Sequence, residues 1–180
     1  MIHDALVVLV SPNGDIIGTQ GKLAAHQDNA LHLAFSVMLY RKTRSGIEVL
    51  MQQRALDKYH SGGLWANTCC SHPMPDEAIL SAAQRRIAEE LNITNPIEWQ
   101  ICGEFIYQAS FANGLHEHEL DTVLIGEFDE NLPIVNPEEV AQLKWFELSE
   151  LNQAVAKTPE QYAVWVPFVL AKVNESLAAL

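Results

Sequence analysis

Short apolar blocks separated by turn residues set the pattern of the first third of the chain. Residues 5–10 form an apolar β-type run, Ser-Pro-Asn-Gly-Asp at 11–15 supplies a turn, and 16–19 continue as a second strand. A hairpin therefore opens the chain. Residues 22–30 are polar and predict a loop, while 31–40 and 47–54 read as two more strands around a turn at 43–46. A glycine-containing loop over 58–63 leads into a short strand predicted over 64–71. Pro73 and Pro75 then stop the chain, and Asp76 is placed to cap a helix running through Leu91. Ile79, Ala83, Ile87 and Leu91 recur every four residues and give that helix one buried stripe. Residues 99–110 and 117–128 predict a strand pair around Ala112-Asn113-Gly114, and 143–148 predict a last strand. Helices follow over 149–157 and 159–179. The second opens with Thr158-Pro159-Glu160-Gln161, a capping box with proline at the first helical position. No linker, repeat or low-complexity stretch interrupts this order. It predicts one α/β domain of the layered α+β kind over residues 1–180, a mixed sheet flanked by helices with an N-terminal hairpin and a C-terminal helix.

Composition narrows the function classes. Apolar residues make up 48% and charged residues 19% of the 180, an ordinary globular balance. Eleven basic against 23 acidic residues leave a net charge of −12, which argues against nucleic acid or an anionic membrane as partner. No run approaches the ~20 apolar residues of a membrane span, and Met1–Asp4 lacks the charged start of a signal peptide. Three cysteines, two of them adjacent, make no disulfide framework, so a reduced cytoplasmic enzyme is expected.

His-Glu-His-Glu at 116–119 is the densest group of potential ligands. On a strand, Glu117 and Glu119 share one face and His116 and His118 the other. Two carboxylates on one face repel unless a cation lies between them, which a divalent metal supplies; a solvated strand end is the competing explanation. His26, His32 and His72 lie near predicted loop–strand junctions, and imidazole with carboxylate suits Zn²⁺, Mn²⁺ or Fe²⁺, although single histidines usually have structural roles. Arg85–Glu89 and Arg86–Glu90 are spaced for surface ion pairs, but their helix follows directly on Cys-Cys-Ser-His-Pro. Cys70 is the nucleophile or acid candidate, since a thiol near histidines and a cation can have a lowered pKa, although a buried, inert cysteine is the commoner case. Strand parity lets only one of Cys69 and Cys70 face a site, and Cys102 lies within an apolar strand.

Over residues 71–93, Glu77, Arg85, Ile87, Glu89, Glu90, Leu91 and Ile93 resemble the Nudix box. Ser71 and Asn92 stand where that box has glycines, and Arg86 stands where it has a metal-binding glutamate. An arginine there is similar to the isomerase branch, the type 1 isopentenyl-diphosphate delta-isomerases. Lys22–His26, Leu31–Ser36, Gln53–Leu56, Lys58–Pro73, Tyr107 and Glu117-His118-Glu119 resemble the same family in order, from about residue 4 to 170. The resemblance implies interconversion of isopentenyl and dimethylallyl diphosphate, a step in isoprenoid precursor biosynthesis; a Nudix pyrophosphohydrolase is the alternative. It implies a divalent metal (Mn²⁺, Zn²⁺ or Mg²⁺) held by His26, His32, His72, Glu117 and Glu119. Cys70 and Glu119 would be the acid–base pair, with Tyr107 beside Glu119. Glu90 would help hold an Mg²⁺ brought by the substrate. Lys22, Arg54, Lys58 and Arg86 would contact the diphosphate, and Cys70, Trp65 and Phe168 the rest of the substrate. Two places depart from the family: the His26–His32 interval is one residue short, and its C-terminal tryptophan falls at Phe168, with Trp165 nearby. The partner implied is a small diphosphate, and the assembly a monomer or homodimer.

Overall fold

The opening hairpin pairs β1 (Leu6–Val10) with β2 (Ile16–Gly21). In this computed structural model the described residues are 4–58 and 60–180; residues 1–3 of the expected leaderless start, and Tyr59 of the loop motif, lie outside them. Where the pattern predicted a loop, residues Lys22–Gln27 form a short helix, α1. The local sequence carries no cap for it. Asp4, entering β1, instead accepts hydrogen bonds from the Leu23 amide at 3.1 and 3.4 Å through its two carboxylate oxygens. Gly21 makes room, since a Cβ there would lie 2.5 Å from an Asp4 oxygen. A residue distant in sequence thus satisfies the helix start, which local propensity could not show.

The chain then runs through β3 (His32–Thr43) and β4 (Gly46–Arg54), which pair only near their shared turn, Tyr40–Thr43 against Gly46–Val49. Beyond that the two strands diverge. The segment predicted as one short strand fills the gap as two, β5 (Trp65–Asn67) on β4 and β6 (Cys69–Ser71) on β3. Thr68 sits at the crossover: its hydroxyl donates to the Leu50 carbonyl at 2.5 Å and accepts from the Leu39 amide at 2.8 Å, tying both strands to the wedge.

Helix α2 (Ile79–Leu91) follows, then β7 (Trp99–Ser110), β8 (His116–Glu127) and β9 (Val140–Glu147). Strand β8 pairs with β7 antiparallel and with β3 parallel, and β9 pairs with β4, so one mixed, open sheet holds all nine described strands. Helices α3 (Leu148–Lys157) and α4 (Val166–Leu177) close the chain. Alternate residues of the sheet feed two cores. Met38, Tyr40, Met51 and Val123 pack toward α3 and α4, whereas Phe35, Val37, Leu50 and Cys69 pack on Ala83, Ile87 and Leu91 of α2. Among the described residues no helix is long and apolar enough to cross a membrane.

Two predicted helix starts fall elsewhere. Asp76 adopts a left-handed conformation (φ 63°) and does not cap α2, whose N-cap is Ala78 without a side-chain bond. The loop is held instead by Glu77, which accepts from the Met74 amide at 2.8 Å and from Arg85 at 2.7 and 2.9 Å. The helix predicted over 159–179 is broken. Residues Pro159–Gln161 make one 3₁₀ turn, Thr158 bonds back to the Ala154 carbonyl rather than capping forward, and Tyr162 extends to bridge Trp65. The Ala163 amide donates to the Trp65 carbonyl at 2.9 Å, so pairing with the sheet overrides the capping box.

Candidate active site

Strand register assembles the site. Parallel pairing of β3 with β8 sets His32 beside Glu119 and Ala34 beside Asp121. Antiparallel pairing sets Ser36 beside Cys70 and Tyr107 beside Glu119. Paired positions share a face, so His32, Ser36, Cys70, Tyr107, Glu119 and Asp121 project to the side covered by α4. Glu117 and Glu119 are both buried there, while His116 bonds Ser110 and His118 bonds the Asn29 carbonyl away from it. Cys69 faces α2. A cavity of about 80 Å³ is bounded by Cys70, Glu117, Glu119 and Asp121 of this floor, by Arg86 and Glu90 of α2 and by Trp165.

At one end His26, His32, His72 and Glu119 offer one ligand atom each, all within 4.8 Å of one another. The turn after α1 makes this possible despite the short His26–His32 interval: Asn29 takes a left-handed conformation (φ 56°), and the two rings lie 5.1 Å apart. The Nδ1 atoms of His26 and His32 lie 2.6 and 2.8 Å from the Lys22 and Ala30 carbonyls. Those contacts fix Nδ1 as the protonated nitrogen and turn Nε2 toward the cluster, the usual support for a metal-binding imidazole. The His32 and His72 Nε2 atoms approach to 3.2 Å, and Glu119 lies 3.0 Å from His72 and 3.5 Å from His32. Burial pushes the His72 imidazole down to about 4, against the pull of Glu119. Glu119 itself is held below the ordinary carboxylate range: burial opposes its charge, but the two histidines outweigh it. This buried donor set fits a divalent cation.

Glu117 lines the cavity without joining that cluster. Its carboxylate lies 2.5 Å from His60 Nε2 and accepts the Tyr107 hydroxyl. Tyr107, although beside Glu119 in register, therefore contacts Glu117. Burial and the charges of Glu119 and Glu117 keep the Tyr107 phenol protonated.

Burial, reinforced by the charge of Asp121, pushes the Cys70 thiol well up, opposite to the lowering a nearby cation could give. Its sulfur lies 3.7 Å from the Ser36 hydroxyl and donates to the Asn67 amide oxygen at 3.0 Å. Asp121, which the motif reading missed, accepts from Ser36 at 2.8 Å, and burial raises its carboxyl well above the usual range. Its other oxygen is buried without a hydrogen-bond partner among the described residues. The parity that selects Glu117 and Glu119 extends to Asp121 two residues on, and was the available signal.

Lys22, Arg54, Lys58 and Arg86 also line the cavity. Lys58 pairs with Glu139, and Arg86 pairs with Glu90 and with Glu89 at 2.6 Å. Burial, then Lys58 and Arg86, push the Lys22 ammonium down. Glu139 and His60 were not singled out from sequence; both lie in loop segments without ligand spacing. Of the aromatic candidates, Trp165 lines the cavity, under Arg54 at 5.3 Å. Trp65 packs edge-on against Phe146, and Phe168 is half exposed and stacked on Phe105. The cavity aromatic is Trp165, because the bridge of Tyr162 to Trp65 and the turn after it bring the start of α4 to the cavity.

The NUDIX domain model matches residues 30–167. The isopentenyl-diphosphate delta-isomerase of Photobacterium profundum is 49% identical, with 99% of each chain covered. That of Aliivibrio fischeri (strain MJ11) is 47% identical over 93% of each chain. Among solved structures, DR0079 from Deinococcus radiodurans superposes with a TM-score of 0.73 at 16% identity, covering 93% of this chain and 98% of that one, a likeness of fold. The chain belongs to the Nudix superfamily and, within it, to the isopentenyl-diphosphate delta-isomerase family.

Proposed function

We propose that this chain, acting as one catalytic domain over 1–180, interconverts isopentenyl and dimethylallyl diphosphate. The observation that carries the reading is the Cys70 thiol sharing one cavity with the Glu119 carboxylate and the Trp165 ring. In the forward reaction the alkene π electrons take a proton at the terminal carbon, leaving a tertiary carbocation. A C–H bond two carbons away then gives up its proton, and its electrons become the new double bond. Such a path needs an acid, a base, an aromatic wall and little water. Cys70 and Glu119 are the exchanging pair, and Tyr107 orients the adjacent Glu117. Lys22, Arg54, Lys58 and Arg86 anchor the diphosphate, with Lys58 releasing Glu139 and Arg86 releasing Glu89 and Glu90.

His26, His32, His72 and Glu119 would hold a divalent cation directly, with Glu117 kept alongside by His60 and Tyr107. When bound, that cation neutralises the carboxylate-rich floor, and an Mg²⁺ at Glu90 offsets the diphosphate charge. Mn²⁺ or Zn²⁺ suits the histidine-rich end better than Mg²⁺. A free Cys70 thiol suits a reducing compartment such as the cytoplasm. Arg86 stands against a hydrolase, because it puts a cation where hydrolysis needs a metal-binding carboxylate and already engages Glu90.

Isopentenyl diphosphate, incubated with the protein and Mg²⁺ in deuterated water, should yield dimethylallyl diphosphate carrying deuterium in its new methyl group. Proton delivery from an exchangeable thiol or carboxyl demands that label. Release of inorganic phosphate without any dimethylallyl product would transfer the assignment to a pyrophosphohydrolase.

A further inference from the structure

Between the acid and the aromatic wall lies Asn67, a fully buried amide that no motif singled out. It ends β5 at the point where the chain passes from β4 to β3. Its Nδ2 donates to the Val37 carbonyl at 3.1 Å and to the Cys69 carbonyl at 3.0 Å. Those two acceptors settle which end of the amide is which: a flipped group would set oxygen against two carbonyls. The oxygen is therefore committed to the other side, where it meets two donors. Cys70 Sγ donates to it at 3.0 Å and Trp165 Nε1 at 3.0 Å.

We propose that Asn67 is a positioning residue whose one amide oxygen sets the Cys70 thiol and the Trp165 indole relative to each other. Both donors come from separate parts of the chain, β6 and the segment entering α4. Both bond this one oxygen, whose amide is held by the β3 and β6 backbone. A neutral acceptor fits this place, because it orients the thiol and the ring without adding a charge beside the carbocation. The thiol hydrogen rests on Asn67 between turnovers, and rotation about the Cβ–Sγ bond swings it to the substrate without moving the sulfur. The indole, pinned through its N–H, keeps its face to the cavity. Misplacement of reacting groups by about 1 Å costs roughly 100-fold in rate.

This inference rests on the isomerase reading, and its test is a cycle of Asn67→Ala and Trp165→Phe assayed for dimethylallyl diphosphate formation. Trp165→Phe keeps an aromatic wall and removes the N–H donor. Asn67→Ala should lower kcat by about 100-fold with KM changing less than about threefold, because the diphosphate anchors are untouched. Trp165→Phe should lower kcat by about 10-fold, and the double variant should be no slower than Asn67→Ala alone. Multiplied losses in the double variant, a KM rising in step with the fall in kcat, or an unchanged kcat in Asn67→Ala would overturn the proposal. Should Asn67→Ala not fold, Asn67→Ser, which retains one donor for the two carbonyls, takes its place in the cycle; an unchanged kcat in Trp165→Phe overturns the proposal in either case. An unmutated enzyme that forms no dimethylallyl product brings down the isomerase reading and this one together. Isomerisation that persists undiminished in Asn67→Ala brings down only this one.

Discussion

The two adjacent cysteines differ in everything but their chemistry. Cys69 is buried against α2, where Ala83, Ile87 and Leu91 surround it, and Cys70 faces the cavity. Cys70→Ala should cost at least about 1,000-fold in kcat with the fold intact by circular dichroism. Cys69→Ala should lower stability by about 1 kcal/mol, from the small cavity it leaves, and change kcat by less than about threefold. Matched losses in both would contradict the parity assignment. Because burial raises the Cys70 pKa, the thiol stays protonated where an ordinary cysteine, near 8.5, would ionise. The kcat for isomerisation should therefore stay level from pH 7 to about 9.5; a fall centred near 8.5 would show an unshifted thiol.

At the scale of elements, the loop before α2 and the wedge between β3 and β4 carry the site. Glu77 clamps that loop to Arg85, and the clamp holds the Glu77 carboxyl below its ordinary value. A depressed folded pKa means that the unfolded chain takes up the proton first as pH falls. The stabilisation is complete above the unfolded value near 4.3 and disappears as pH drops through the lower folded one. Glu77→Gln should cost on the order of 1 kcal/mol at pH 7, and the gap from the unmutated protein should close as pH falls below the ordinary carboxylate range in urea titrations. An undiminished gap at low pH would show that the pair does not act through charge. The α2 stripe was legible because Ala83, Ile87 and Leu91 repeat with the helix and meet one continuous apolar floor. Helix α1 and the break before α4 were not, because Asp4 caps one and Trp65 pairs across the other.

Over the whole molecule, the histidine cluster joins α1, β3, β8 and the segment after β6, so a bound cation is also a crosslink. Chelation should abolish isomerisation and lower Tm together, and added Mn²⁺ or Zn²⁺ should restore both. His72→Ala should reduce bound metal, measured by elemental analysis, in parallel with activity; full activity in metal-free protein would end the assignment. The sequence by itself determined the order of the long strands and of α2 and α3, the shared face of Glu117 and Glu119, the family and, through the family resemblance, Cys70 over Cys69. These follow from local periodicity and from residues that keep their spacing whatever the chain does elsewhere. Only the tertiary structure decided that Glu117 turns to His60 and Tyr107, that Trp165 and not Phe168 reaches the cavity, and that burial raises the Cys70 pKa. Each depends on which distant segments meet and how far they exclude water, and neither quantity is written in the spacing of residues along the chain.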